Sequence, residues 1–204
     1  MIVDYGAGNL RSMMNKLQRL GVPAVVSSKP AVIQKADKLI LPGVGFFATG
    51  MANLKRYGLI EVLNQKVLVE KTPILGVCLG MQLFSQKSEE GNAAGLGWID
   101  GEVKRFDFPK EKLKIPHIGW NDILVQKKSP LLSGVDPKAQ FYFVHSYHLV
   151  CQEQKDILAK TDYGYDFVSM VAHDNIFGTQ FHPEKSHSAG IKIIQNFIQK
   201  IERS

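Results

Sequence analysis

In Gly76-Val77-Cys78-Leu79-Gly80 a thiol stands between two glycines, after the apolar run Pro73-Ile74-Leu75-Gly76-Val77 and before a helical pattern that begins at Leu79. A nucleophile at such a strand–turn–helix corner sits in a strained backbone conformation, with its reactive atom presented at the bend. Side chains two residues to either side would collide with neighbouring backbone, which gives the glycines a physical reason. The following helix aims free N–H groups and its positive end at the sulfur. That favours the thiolate and makes the Leu79 N–H a candidate oxyanion donor. A buried core cysteine is the plainer alternative for a lone thiol; the flanking glycines weigh for the nucleophile. Cys151 has no such setting and reads as structural.

A thiolate nucleophile needs a proton-transfer partner. Of the six histidines, His182 stands out in Gly178-Thr179-Gln180-Phe181-His182-Pro183-Glu184. At the end of a strand, residues two apart share a face, so Glu184 can reach the His182 ring. A carboxylate there fixes the imidazole tautomer and stabilises the imidazolium. Pro183 cannot donate a ladder hydrogen bond, which suits a strand terminus. A surface His–Glu pair is the competing reading. His145-Ser146-Tyr147-His148 invites a metal reading, but positions three apart on a strand face opposite sides, and no further Cys or His pair completes a site. Gly6-Ala7-Gly8 hints at a dinucleotide loop, yet Arg11 stands where the third glycine belongs. The sequence therefore calls for no metal and no cofactor.

The elements that must hold these residues are legible in outline. Ile2-Val3, Ala24-Val25-Val26, Lys38-Leu39-Ile40-Leu41 and the run before Cys78 read as strands. Asn9 to Leu20 reads as a helix, with Leu10, Met13, Met14, Leu17 and Leu20 at helical spacing. Further helices are expected over about 58–70 and 79–86. That order implies parallel βαβ units. Strand candidates in the second half are 98–105, 122–125, 140–144, 157–161, 167–172 and 176–181, before a closing helix over 189–201. The expected architecture is α/β, with a mixed, mostly parallel central sheet covered by helices on both faces, as one domain over residues 1–204. Only Met1, Ile2 and Val3 precede Asp4, so the first strand is expected to be either clipped or unusually short.

Composition excludes several classes. At 204 residues, with 45% hydrophobic and 22% charged, the chain is long enough to bury a core and is unlike a disordered one. No apolar run approaches the ~20 residues of a membrane span. The start lacks the basic and apolar regions of a signal peptide. Two cysteines make no disulfide scaffold, which points to a reduced, cytoplasmic protein. The net charge of +6 is spread evenly, +3 in each half, and so argues against nucleic acid. The densest basic cluster, Lys104-Arg105 with Lys110, Lys112 and Lys114, is broken by Asp107, Pro109 and Glu111 and reads as a solvated loop.

Together the segments resemble the triad (class I) glutamine amidotransferases. The elbow extended to Met81-Gln82, and Phe181-His182-Pro183-Glu184, are similar to that family's two signatures, in the order Cys, His, Glu. Other blocks are similar to the branch made up of the glutaminase subunits of imidazole glycerol phosphate synthase. They are Asp4-Tyr5-Gly6-Ala7-Gly8-Asn9-Leu10, Leu41-Pro42-Gly43-Val44-Gly45, His117-Ile118-Gly119-Trp120-Asn121, Tyr142-Phe143-Val144-His145-Ser146-Tyr147 and His182-Pro183-Glu184-Lys185-Ser186. The resemblance implies Cys78 as nucleophile, His182 as acid/base and Glu184 as its orienter. It implies oxyanion donors from Leu79 and from the Gly43-Val44-Gly45 loop, whose peptide at Val44 reorients for full activity. Gln82 and Glu90 would hold the amino-acid end of glutamine, and Ser146 and Tyr147 would line the pocket. Ammonia would pass to a separate (β/α)₈-barrel synthase subunit serving histidine biosynthesis, in a heterodimer contacted by Trp120, Tyr142 and Lys185.

Three rival functions remain at this stage. The same glutaminase could serve a paralogous synthase that amidates a sugar for surface polysaccharide. The chain could be a non-catalytic scaffold, although a scaffold has no need of Cys78, His182 and Glu184 together. A cysteine peptidase would need an open cleft for extended peptides, which nothing in the sequence marks.

Overall fold

A computed structural model describes residues 1–109 and 113–203; the part of the basic cluster at 110–112 lies outside the described residues. In chain order the first half runs β1 (Ile2–Val3), α1 (Leu10–Arg19), β2 (Val26–Ser27), α2 (Pro30–Ile33), β3 (Leu39–Gly43) and α3 (Phe47–Arg56). It continues with α4 (Leu59–Asn64), which runs on as a π-helical turn over Gln65–Val69, then β4 (Ile74–Cys78) and α5 (Leu79–Gln82). The second half holds β5 (Lys87–Ser88), β6 (Ala93–Ala94), β7 (Gly101–Arg105), β8 (His117–Asn121) and β9 (Leu124–Val125). β10 (Phe141–His145), β11 (Tyr147–Cys151), β12 (Ile157–Asp162), β13 (Asp166–His173), β14 (Ile176–Thr179) and α6 (His187–Lys200) complete it.

The main sheet has the order β2-β1-β3-β4-β14-β13-β12-β9. Its first five strands are parallel neighbours, and the last three pair antiparallel. Strands covered on both faces bury every position, and all of β3, β4 and β14 is buried. Alternation along each strand divides the core in two. Val3, Leu39, Leu41 and Ile74 pack with Phe47 and Leu54 of α3 and with Leu59, Val62 and Leu63 of α4. Ile2, Ile40, Leu75 and Val77 pack on the other face with Met13 and Leu17 of α1 and with Ile193, Ile194 and Phe197 of α6.

The structure departs from the sequence reading in several places. α2, β5, β6 and β11 were not expected, and the His182–Glu184 pair is joined by a 3₁₀ turn over Pro183–Lys185 rather than by strand alternation. The helix expected over 79–86 is one turn long. The carbonyls of Leu83 and Phe84 accept from Leu96, Trp98 and Ile99 and so cannot continue it. The N-terminal field at Cys78 is thus that of a few local N–H groups, not of a long macrodipole. α3 carried no clear apolar period and was not expected. β8, rich in polar residues and glycine, was not expected either. The second-half strands are also divided among three sheets, with β10-β8 and β11-β7-β5-β6 forming the two smaller ones. The chain passes from β10 to β11 at Ser146, so His145 and His148 belong to different sheets and the strand alternation used for them does not apply.

Candidate active site

The carboxyl ends of β3, β4 and β14 open on one cavity, where parallel sheets habitually bind ligands. Its volume is about 310 Å³, and its lining includes Val44, Gly45, Cys78, Leu79, Gln82, Glu90, Ser146, Tyr147 and His182. Residues separated by more than a hundred positions in sequence thus share one small space.

Cys78 closes β4 with φ 55° and ψ −112°, a strained geometry for a side chain other than glycine. Close packing explains the glycines around it. A Cβ on Gly80 would overlap the Leu41 carbonyl oxygen, and one on Gly76 would lie 2.6 Å from the Phe84 ring and 2.7 Å from the Met81 nitrogen. The bend can form because the chain after it presses directly on β3. Gly43 lies opposite Cys78 in the parallel register, so the Val44-Gly45 loop leaves β3 beside the sulfur. Val44 is 42% exposed and Gly45 has φ 108°, which leaves the loop at the cavity rim.

His182 follows β14, and its backbone N–H donates to the Tyr142 carbonyl at 2.9 Å. Nδ1 meets Glu184 Oε1 at 2.9 Å, with both side chains buried. The ring's other nitrogen, Nε2, is buried without a hydrogen-bond partner. Burial alone would lower the imidazole's pKa, but Cys78 and then Glu184 outweigh it and push the value up to about 10. Cys78 falls short of a formed hydrogen bond to Nε2 yet acts on the ring electrostatically, and catalytic hydrogen bonds in free enzymes are often long. The ring is therefore pushed toward its cationic form, with its Glu184 side fixed.

Glu90 lies half-buried in the lining, and its Oε2 accepts from the Phe47 N–H at 2.8 Å. It thereby caps α3, which has no capping side chain at its own start. Burial raises the Glu90 pKa, and the Phe47 N–H partly offsets that. Gln82 donates to the Tyr147 carbonyl at 2.8 Å and to Gln180 Oε1 at 3.0 Å. Both of its amide hydrogens are then used, and Oε1 is left to accept from a ligand.

Trp120, Tyr142 and Lys185 come together on the outer side of the His182 segment. Tyr142 pairs with Trp120 across β8 and β10, and Lys185 Nζ lies 5.4 Å above the Tyr142 ring. Trp120 is 43% exposed and stacks on His187 at 4.6 Å.

Several residues in this region escaped the sequence reading. Ser186 Oγ donates to the His182 carbonyl at 2.6 Å and accepts from the Tyr142 N–H at 3.0 Å, clamping the His182 turn to β10. His145 also lines the cavity; its Nδ1 meets the Tyr147 carbonyl at 2.8 Å, and its Nε2 meets His117 Nδ1 at 3.1 Å. Burial holds His145 well below the usual imidazole range, and its contact with Tyr147 only partly opposes that. Burial also lowers His117, to about 4. Two neutral rings linked by one proton serve as structure rather than as a second acid. Among the described residues, no group of three or more His, Cys, Asp or Glu could hold a metal ion. No described helix is long and apolar enough to cross a membrane.

A thiol on a strained bend, an imidazolium backed by a carboxylate and an adjoining loop are the parts of an acyl-transfer site. The chain belongs to the class I glutamine amidotransferases: that family's model, "Glutamine amidotransferase class-I", matches residues 1–201. It is similar to "Imidazole glycerol phosphate synthase subunit HisH 2" of Methanococcus maripaludis, at 49% identity over 98% of both chains. It is also similar to the protein of the same description from Pseudomonas aeruginosa, at 46% identity over 98% of this chain and 99% of the other. Among solved structures, "Structure of PurLQS from Thermotoga maritima" shares the fold, with a TM-score of 0.73 at 18% identity over 97% of this chain and 95% of that one.

Proposed function

We propose that residues 1–204 form one glutaminase domain that hydrolyses L-glutamine through a thioester on Cys78. The ammonia passes to a (β/α)₈-barrel synthase subunit that makes imidazole glycerol phosphate in histidine biosynthesis. The observation that carries the reading is the shared cavity, with Cys78 and His182 in its wall and Glu184 behind the ring. The relatives' description as synthase subunits supports the pathway. Two buried, unpaired cysteines support a cytoplasmic setting.

The thiolate of Cys78 attacks the side-chain amide carbon, and the resulting oxyanion takes N–H donors from Leu79 and the Gly43-Val44-Gly45 loop. His182, already protonated, gives its Nε2 proton to the departing nitrogen, so ammonia leaves instead of amide ion. The C–N bond breaks and the γ-glutamyl thioester remains. The neutral imidazole then takes a proton from water, the hydroxide adds to the thioester, and the C–S bond breaks. Glutamate leaves, and the thiolate–imidazolium pair is restored. Glu184 keeps Nδ1 protonated throughout. Gln82 Oε1 and Glu90 are acceptors suited to the substrate's α-ammonium, with Ser146 and Tyr147 along the wall.

An exposed Val44 loop offers a physical basis for latency. Removing one oxyanion donor costs ~10²–10³ in rate, so a displaced peptide at Val44 keeps the lone subunit slow. The test is glutamate release with and without the barrel subunit and its nucleotide ligand. The reading expects a rise of about that size on mixing, and a lone chain equally fast would contradict the coupling.

Two further outcomes are expected at this site. Glu90→Gln removes a charged acceptor worth about 1.5–3 kcal/mol, so KM for glutamine rises roughly ten- to a hundredfold while kcat holds. Steady-state kinetics of the complex check this, and an unchanged KM would exclude Glu90 from substrate binding. Trp120→Ala removes an exposed aromatic anchor, so affinity for the barrel subunit falls by about 2 kcal/mol, roughly thirtyfold in Kd. Titration calorimetry reads it, and equal affinity would remove Trp120 from the interface.

A further inference from the structure

Resting on the reading of Cys78 as nucleophile, we infer that Gln180 holds the thiolate by an N–H donor whose direction is set, through Gln82, by the backbone carbonyl of Tyr147. Gln180 is fully buried, and its Nε2 lies 3.6 Å from Cys78 Sγ. It is the first residue after β14, with its own backbone N–H bound to the Ser169 carbonyl at 2.9 Å. The chain bends at Gln180 and Phe181, and His182 follows two residues on in the cavity wall. The sulfur thus has one side-chain donor, the Gln180 amide, beside the Val144 carbonyl at 4.0 Å, with the His182 ring near but not bonded to it.

The direction of the Gln180 amide follows by elimination. A backbone carbonyl can only accept, so the Gln82 group 2.8 Å from the Tyr147 oxygen is its NH₂. That same nitrogen lies 3.0 Å from the Gln180 amide, whose facing atom must then be oxygen. The remaining end of Gln180, the NH₂, faces the sulfur. Reversing Gln180 would set two N–H donors against each other in a buried space and turn a lone pair toward the thiolate, and both changes are costly. The Tyr147 carbonyl is itself held by His145 Nδ1 at 2.8 Å, which fixes the start of the chain. Gln82 therefore acts on the sulfur without touching it, as a positioning residue.

The experiment is the pH profile of iodoacetamide alkylation on the full chain, with peptide mapping to separate Cys78 from Cys151. Gln180→Glu replaces the donor with a carboxylate of equal size and is expected to move the Cys78 profile to higher pH by about one unit or more. Gln82→Met leaves Gln180 in place but frees its amide to turn, and is expected to shift the profile the same way by a smaller amount. This second variant also carries the test should Gln180→Glu fail to fold by circular dichroism. Profiles unmoved in folded variants, with Cys78 still reactive, would overturn the inference and leave the nucleophile standing. A Cys78 unreactive in the unaltered chain at every pH would overturn the nucleophile itself.

Discussion

Cys78→Ala is expected to lower glutamate release by the assembled enzyme by on the order of 10⁴-fold or more, with thermal stability little changed. Without the sulfur no thioester forms, and the remaining oxyanion donors can only assist attack by water. His182→Ala is expected to cost about as much, because the raised pKa of His182 depends on the same sulfur and on Glu184. Groups that act as one unit are not additive, so the double variant should be no slower than either single one. Glu184→Gln keeps the shape of the pair but can bond the wrong imidazole tautomer, and a loss of on the order of 10²–10⁴ is expected. Initial-rate assays of the complex read all four variants. Multiplying losses in the double variant would mean that sulfur and imidazole work independently, against the proposed mechanism.

The second large effect is on the fold. Gly80→Ala sets a methyl group on the Leu41 carbonyl of β3, a central strand of the sheet. Neither side can yield easily: β3 is hydrogen-bonded to β1 and β4, and the residue at 80 lies in the first turn after the elbow. Overpacking against backbone costs about 3 kcal/mol or more, which in a chain of this size lowers the melting temperature by roughly 6–12 °C. Whatever protein remains folded carries a displaced Cys78, and a shift of about 1 Å costs on the order of 10² in rate. Calorimetric melting with kinetics on the same sample reads both. A variant with native melting and native kcat would contradict the packing described for the elbow.

Both effects trace to residues that the sequence makes conspicuous. Cys78 stands out because two close approaches, at Gly76 and Gly80, required residues without side chains, and His182 because Pro183 and Glu184 mark a strand end. The parallel half of the sheet was legible for a related reason: β3 and β4 are buried on both faces and read as unbroken apolar runs. What escaped notice depends on contacts distant in sequence. α5 stops after one turn because residues 96–99 take the carbonyls of Leu83, Phe84 and Ser85 that follow it, a competition that no local pattern reveals. β8 pairs with β10 although its own sequence is polar and glycine-bearing. Glu90 was placed in the pocket only by resemblance; that it also caps α3 emerges from a hydrogen bond across forty-three residues. Gln180 stood in plain view within the His182 segment, two positions before the histidine. The signal available was its closeness in sequence to His182, and its partner Gln82 lay almost a hundred residues earlier.

The measurement that bears most directly on the whole account is mass spectrometry of the complex, quenched in acid during turnover of glutamine. A γ-glutamyl group should appear on the peptide that contains Cys78 and be absent from the Cys151 peptide. A complex that releases glutamate at full rate while its Cys78 peptide carries no acyl group in any sample would contradict covalent catalysis at this sulfur.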